Sequence, residues 1–151
     1  MSDDPWTTLF TQIGIIDHRV RNRLERRLPH GLTLAQYGVL NHFARLGPGH
    51  ESSPHALADT FQVSRATMTG TLRRLAEKSF VDILPHGSDG RRRIVRLTPK
   101  GLSAREESLA RMEPDIARLR SAFPQRFADD LLVPLTELRE WLDADRQTSD
   151  G

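Results

Sequence analysis

The sequence SRATMTGTLRRLAEKSFVDILPHGSDGRRRIVRLTPKG, residues 64–101, decides the fold. Its first part predicts a helix, because Ser64 is a favourable residue for the N-cap of a helix. Met68, Leu72 and Leu75 follow at steps of four and three, which places them on one face of that helix. This face must turn towards a core, so the remaining surface of the helix is exposed.

A β-hairpin is predicted directly after this helix. Phe80–Leu84 and Ile94–Leu97 are rich in the apolar residues that favour strands. The loop between them contains Gly87 and Gly90, and glycines suit the tip of a hairpin. Arg91–Arg93 are placed at this tip, where their mutual repulsion calls for a compensating anion.

The residues upstream complete a helix-turn-helix. Thr33 and Gln36 form a capping box that starts a second helix, and Gly49–Ser52 is then predicted as a polar loop. Ser53, followed by proline at the first helical position, starts a short third helix that ends near Phe61. Two residues, Gln62 and Val63, separate this helix from Ser64, the N-cap of the fourth, and two helices across a tight turn define a helix-turn-helix.

Long amphipathic helices are predicted at both ends of the chain. The first starts at Pro5, the fifth follows Thr98 and the sixth follows Pro124. Pro114 and Pro134 lie inside the last two, where each removes a backbone hydrogen bond and bends the helix. The apolar positions recur at steps of three and four: Trp6, Leu9, Phe10, Ile13, Ile16, Val20, Leu24 and Leu28; Leu102, Leu109, Met112, Ile116 and Leu119; Leu131, Leu135, Leu138 and Leu142.

The predicted fold class is therefore mainly α with a small β wing. It comprises six helices and a two- or three-stranded antiparallel wing in a winged helix-turn-helix. A core of this size cannot cover all the apolar surface of the terminal helices, so a symmetric homodimer is predicted to bury it. The length of 151 residues favours one domain.

Charge is distributed unevenly along the chain. Residues 64–100 contain nine bases and three acids, a net charge of +6, whereas the whole chain has a net charge of only +2. Acidic residues outnumber basic ones after Gly101. A localised basic segment of this kind indicates a site for a polyanion.

The exposed face of the fourth helix has the composition of a surface that enters a DNA groove. Its residues are small or basic, and no acid precedes Glu77. Arginine can offer paired donors to guanine, and small residues allow close approach to the bases. The predicted DNA contacts are Ser53, Ser64, Arg65, Ala66, Thr67, Thr69, Gly70, Arg73, Arg74, Arg91, Arg92 and Arg93. A solvated helix face is the alternative interpretation of the helix taken alone.

The order of these motifs resembles the MarR (multiple antibiotic resistance regulator) family over nearly the whole chain. LTLAQYGVL, residues 32–40, looks like the second helix of the family, and residues 64–81 look like its recognition helix. Asp89-Gly90-Arg91, followed by Leu97-Thr98 and Gly101, is similar to its wing signature.

The resemblance implies roles for individual residues. Arg91 would enter the minor groove, and Asp89 would orient the wing by pairing with Arg74. Ser79 stands where the family usually has the glycine that ends the recognition helix, and serine adopts the left-handed conformation less readily.

The resemblance also implies that a single chain, residues 1–151, contains a DNA-binding part and a dimerisation part. Residues 33–98 would form the DNA-binding lobe, and 5–30 and 99–146 would form the dimerisation helices. A small, often aromatic effector would bind between them, with His18, Tyr37 and His42 as candidate contacts.

Other functional classes find little support in the sequence. It has no cysteine, no phosphate-binding glycine loop and no nucleophile elbow, so we expect neither an enzyme nor a cofactor. The histidines show no metal-ligand spacing, and no metal is expected. No apolar run approaches a membrane span, and a cytoplasmic protein is expected. The function predicted is a sequence-specific regulator of transcription, a repressor that binds a palindromic operator in double-stranded DNA and is released by a ligand. The alternative is a winged-helix module that binds protein or RNA without operator specificity.

Overall fold

The computed structural model describes residues 4–88 and 90–149. The chain divides into two compact units, Met1–Met112 and Glu113–Gly151. The elements are α1 (Pro5–Glu25), α2 (Leu34–Leu46), β1 (Glu51–Ser52), α3 (Pro54–Phe61), α4 (Arg65–Glu77), β2 (Val81–His86), β3 (Arg92–Leu97), α5 (Pro99–Ala122) and α6 (Gln125–Ser149). The predicted six helices and small antiparallel wing are confirmed.

The wing is a three-stranded antiparallel sheet in the order β1-β3-β2. Glu51 and Ser52 pair with Arg96 and Val95, so the prediction of a polar loop over these two residues is wrong. The pairing of β2 with β3 extends as far as His86 opposite Arg92, which is further than the sequence predicted. Strands this short are specified by their partners rather than by their own sequence.

The core of the first unit forms around the predicted apolar face of α4. Met68, Leu72 and Leu75 are all buried, as their spacing predicts. They share the core with buried side chains of α2, α3 and the sheet: Val39, Leu40, Phe43, Leu57, Ala58, Val81 and Val95. Burying one face of α4 in this way leaves the opposite face of the helix exposed to solvent.

The predicted helix starts are present as hydrogen-bonded caps. The Ser53 and Ser64 hydroxyl oxygens each accept a hydrogen bond from a backbone N–H three residues later, at 3.1 Å. Thr33 and Gln36 make both hydrogen bonds of a capping box. The turn between α3 and α4 places Gln62 at a φ of 52°. These local bonds fix where α2, α3 and α4 begin.

The end of α4 is a tight turn packed against the start of α5. The N–H groups of Ser79 and Phe80 donate to the carbonyls of Ala76 and Leu75, each at 2.9 Å, which is a Schellman motif. Ser79 has a φ of 61°, so serine does occupy the left-handed position that favours glycine. The Thr98 hydroxyl donates to the Ser79 carbonyl at 2.7 Å and accepts from the Gly101 N–H at 2.9 Å.

Gly101 has a steric role in this contact. A Cβ at this position would collide with the carbonyl oxygen of Phe80. The first turn of α5 can therefore lie against the turn after α4 only if residue 101 has no side chain.

The apolar face of α1 is not covered within the chain. No residue of α1 is buried, and Trp6 is 70% exposed. The predicted burial of this face in a homodimer stays a prediction. Exposed large apolar residues of α1 are Trp6, Leu9, Phe10, Ile15, Ile16 and Val20.

The second unit consists of the end of α5 and all of α6. Both helices continue through their internal prolines, Pro114 and Pro134. Phe123 and Phe127 stack across the turn that joins the two helices, with ring centroids 4.5 Å apart. Apolar side chains along α6 are exposed: Phe127, Leu131, Leu132, Val133, Leu135, Trp141 and Leu142.

Gly101→Ala should destabilise the fold, because the added methyl group forces α5 away from the turn after α4. We expect the free energy of unfolding to fall by about 1–3 kcal/mol, which is typical of overpacking. Urea denaturation followed by circular dichroism measures this change.

Gly70→Ala is the matched control for that measurement, since a Cβ there meets nothing within 4 Å. Replacing a helical glycine by alanine in open space should stabilise the chain by about 1 kcal/mol. Equal effects of the two substitutions would contradict the steric role of Gly101.

Candidate nucleic-acid interface

The exposed face of α4 carries most of the predicted contact residues. Arg65, Ala66, Thr67, Thr69, Arg73 and Arg74 are exposed, and Gly70 is partly exposed. The Arg73 Nε lies 4.0 Å from a Glu77 carboxylate oxygen, with both side chains largely exposed. An ion pair of this kind is weak in water, so it can yield to a stronger anion.

Ser64 and Thr67 have a structural role as well. The Ser64 hydroxyl caps α4 and donates a hydrogen bond to the Thr67 hydroxyl at 2.9 Å. This pair fixes the start of the helix and stays exposed at the surface. The two hydroxyl groups therefore mark the end of α4 at which its N–H groups and partial positive charge are directed to solvent.

The three arginines of the wing do not all lie at its tip. Arg91 belongs to the loop, whereas Arg92 and Arg93 lie on β3 opposite His86 and Pro85. The prediction that all three are at the tip is wrong for Arg92 and Arg93, because the strands are longer than their apolar residues indicated. All three side chains are exposed.

A groove of about 950 Å³ brings the wing together with the helix-turn-helix. Ser53 and His55 at the start of α3, Thr69 of α4, and Arg91–Arg93 all line it. Ser53, Thr69 and the three arginines were predicted as contacts, and the structure places all five around one space. Arg65, Ala66, Gly70, Arg73 and Arg74 belong to the exposed side of α4 and do not line this groove.

The charge of the groove is predominantly positive. Glu51 also lines it, and its carboxylate lies 3.5 Å from the guanidinium of Arg96. Three further guanidinium groups, those of Arg91–Arg93, line the same space. A groove with this excess of positive charge attracts a phosphate backbone and repels cations.

Two groove residues, His55 and His86, were not among the predicted contacts. His55 is the second residue of α3, and His86 is the last residue of β2. The sequence signal that could have identified His55 is its position directly after the Ser53-Pro54 helix start. His86 could have been identified only from a longer hairpin than its apolar pattern indicated.

The predicted wing-orienting residue lies outside the described residues. Asp89 is not described, and its pairing with Arg74 stays a prediction. Arg74 is exposed near the end of α4.

The three candidate effector contacts have different surroundings. His18 is exposed on α1, where it shares a hydrogen bond of 3.1 Å with Asn22. The His42 ring packs against Phe61 and His50, with centroids 5.5 and 6.2 Å away, and burial lowers the pKa of His42. Tyr37 is partly buried on α2, and this burial raises its pKa.

Tyr37 also feels a charged group of α5. Arg105 lowers the pKa of Tyr37, partly offsetting the effect of burial. The Arg105 Nε and Nη2 both donate to the Asn41 side-chain oxygen, at 3.1 and 3.0 Å, and its Nη1 pairs with the Glu106 carboxylate at 2.8 Å.

The part of the chain that the structure describes offers neither a metal site nor a membrane span. No group of three or more histidine, aspartate or glutamate side chains there could hold a metal ion. None of the helices described is both long and apolar enough to span a membrane.

Residues 30–92, which include the helix-turn-helix and most of the wing, match the sequence model of the MarR family. The chain carries a MarR-family winged-helix domain. The resemblance drawn from its motifs is confirmed, and the fold is that of MarR-family transcriptional regulators. No curated protein sequence matches the chain significantly.

Solved structures extend the similarity in fold beyond this domain. The transcriptional regulator BldR from Sulfolobus solfataricus superposes with a TM-score of 0.78 at 21% identity, covering 93% of this chain and 99% of that one. A MarR-family regulator from Rhodococcus sp. RHA1 gives a TM-score of 0.78 at 17% identity, covering 91% and 96%. The organohalide-sensing regulator RdhR in its 2,4-dichlorophenol-bound form gives 0.77 at 17% identity, covering 93% and 82%.

Proposed function

We propose that this MarR-type chain is a sequence-specific, double-stranded DNA-binding regulator of transcription that represses by occupying a promoter. The observation that carries the proposal is the groove in which Ser53, Thr69 and Arg91–Arg93 converge beside the exposed face of α4. The sequence predicted all five of these side chains as DNA contacts, and all five line this one groove. No catalytic group is needed for this function.

In this proposal the two parts of the interface have separate tasks. The groove accepts the phosphate backbone, because three guanidinium groups supply affinity that does not depend on sequence. The face of α4 reads bases in the major groove, where Ala66 and Gly70 permit close approach and Arg65 and Arg73 supply paired donors. Arg91, in the loop of the wing, reaches the adjacent minor groove.

The proposed assembly is a homodimer formed by the terminal helices, residues 5–30 and 99–146, with residues 33–98 as the DNA-binding lobe. The exposed apolar faces of α1 and α6 support this assembly, since large contiguous apolar surfaces are rarely exposed to water in a monomeric protein. A twofold dimer would present two copies of α4 about 34 Å apart, which matches successive major grooves of a palindromic operator.

The proposed effector is a small aromatic acid or phenol. Its class is supported by the 2,4-dichlorophenol bound to the RdhR structure and by the Tyr37–Arg105 neighbourhood of this chain. His18 and His42 remain candidate contacts. An effector of this kind would release DNA by favouring a dimer in which the two α4 helices have the wrong separation.

The decisive test compares a palindromic duplex, selected from the source genome by binding, with a scrambled duplex of the same composition. At about 0.15 M salt we expect at least a thousandfold preference for the palindrome, within the range of specific regulators. Sedimentation should give two chains per duplex. Equal affinity for the two duplexes would reject the regulator and favour the RNA- or protein-binding module.

Two arginine substitutions separate the proposed tasks. Arg91→Ala should weaken binding to all duplexes and reduce the salt dependence by about one released ion, because a contact in the narrow minor groove is largely electrostatic. Arg73→Ala should instead change the preferred bases. Fluorescence anisotropy across a salt series and a panel of single-base variants measures both effects.

The matched control for the arginine substitutions is Arg111→Ala, which removes an arginine that pairs with Glu107 on α5 outside the groove. It should leave the salt dependence of DNA binding unchanged. A loss for Arg111→Ala equal to that for Arg91→Ala would show that only total charge matters.

Gly70→Ala should separate stability from DNA binding. Apart from its chain neighbours and the backbone of α4 itself, no described residue lies within 4 Å of the added Cβ, so the fold does not require glycine there. In the proposed complex the methyl group meets the bases, and affinity for the palindrome should fall about fivefold or more. Higher thermal stability together with weaker DNA binding is the expected result, and unchanged binding would remove Gly70 from the interface.

A further inference from the structure

Two imidazole groups lie in the groove together with its arginines. His55 and His86 come from α3 and β2, and both side chains are exposed to the space that Arg91–Arg93 line. His86 pairs across the hairpin with Arg92. Imidazole is the side chain whose charge changes near neutral pH, so these two residues can change the charge of the groove without any change in its shape.

The charged groups around the two histidines carry both signs. The guanidinium groups of Arg91–Arg93 and the partial positive charge at the start of α3 are the cationic groups of the groove. The Asp59 carboxylate lies 3.5 Å from His55 Nε2, with both side chains more than half exposed. Glu51 also lines the groove, and its carboxylate lies 3.5 Å from Arg96.

A phosphate bound in the groove changes the charge around the two imidazole rings. It neutralises the arginines and places an anion beside both rings. An adjacent anion stabilises the protonated ring, and the protonated ring can donate a hydrogen bond to a phosphate oxygen. The partial positive charge at the start of α3 also favours an anion there, although the Ala56 N–H already donates to the Ser53 hydroxyl.

We propose that His55 and His86 are phosphate contacts of the DNA interface and take up protons when the duplex binds. This inference rests on the proposed function and adds two residues and a pH response to it. Proton uptake requires that affinity rise as pH falls. The gain in affinity is therefore expected at the acidic end of the pH range and is lost as pH rises.

The expected change in DNA affinity follows from the linkage between proton binding and DNA binding. If a phosphate shifts the protonation equilibrium of one histidine by about one pH unit, affinity changes by up to about tenfold over the transition. Two histidines of this kind in each chain should therefore strengthen binding by at least about tenfold between pH 8 and pH 6. The effect is large enough to separate from experimental error in a direct titration.

The test measures affinity for the selected palindrome at pH 8, 7 and 6 and constant ionic strength. The full chain is compared with the double variant His55→Gln/His86→Gln. We expect the affinity of the wild type to rise at least about tenfold between pH 8 and pH 6, and that of the double variant to rise less than about twofold. Calorimetry in buffers of different ionisation enthalpy should show net proton uptake by the wild type and little by the variant.

His30→Asn is the matched control, because it removes an imidazole outside the groove. His30 bonds to Glu107 of α5 at 2.6 Å and has a φ of 58°, a conformation that asparagine tolerates. This variant should keep the pH dependence of the wild type. Circular dichroism and thermal unfolding that match those of the wild type show that the double variant is folded.

The outcomes distinguish this inference from the function on which it rests. Specific binding that strengthens equally on acidification in the wild type and the double variant overturns the role of the histidines and leaves the regulator intact. Specific binding without proton uptake also overturns the role of the histidines and leaves the regulator intact. A wild type that binds palindrome and scrambled duplex equally at pH 8 overturns both.

Discussion

The position of the proposed DNA-reading surface depends on the contact between the start of α5 and the turn that ends α4. Gly101 lets the two backbones meet, and the Thr98 hydroxyl joins them by bonding to Ser79 and Gly101. Because Thr98 directly follows β3, the same contact connects the recognition helix to the wing. The direction of α4 relative to Arg91–Arg93 is therefore set by a small polar contact at the far end of the helix.

Local sequence signals predicted the parts of the fold that short-range forces determine. The apolar spacing of Met68, Leu72 and Leu75 predicted the buried face of α4, and the side chains at positions 53 and 64 predicted two helix starts. The left-handed residue after α4 was expected at Ser79 from the family pattern, and the chain adopts that conformation even without glycine. These features depend on residues within one or two helical turns of each other.

The features that the sequence did not predict depend on distant residues. Glu51 and Ser52 form a strand only because β3 offers a partner, and the hairpin extends to His86 for the same reason. His55 and His86 belong to the site only because α3 and the wing line the same groove in the folded chain. Trp6, Leu9, Phe10, Ile16 and Val20 lie on α1 and are exposed, whereas Leu28 of the same predicted stripe lies beyond the helix and is buried. Whether a partner copy covers the exposed positions stays a prediction.

In the proposed complex, two copies of the chain place α4 and the wing in neighbouring grooves of one duplex. Hydroxyl-radical footprinting of the selected operator checks this arrangement, because cleavage reports access to the minor groove at each nucleotide. We expect two protected minor-groove tracts related by the twofold axis of the site, each adjoining a major groove occupied by α4. Uniform protection, or a single tract without symmetry, would contradict it.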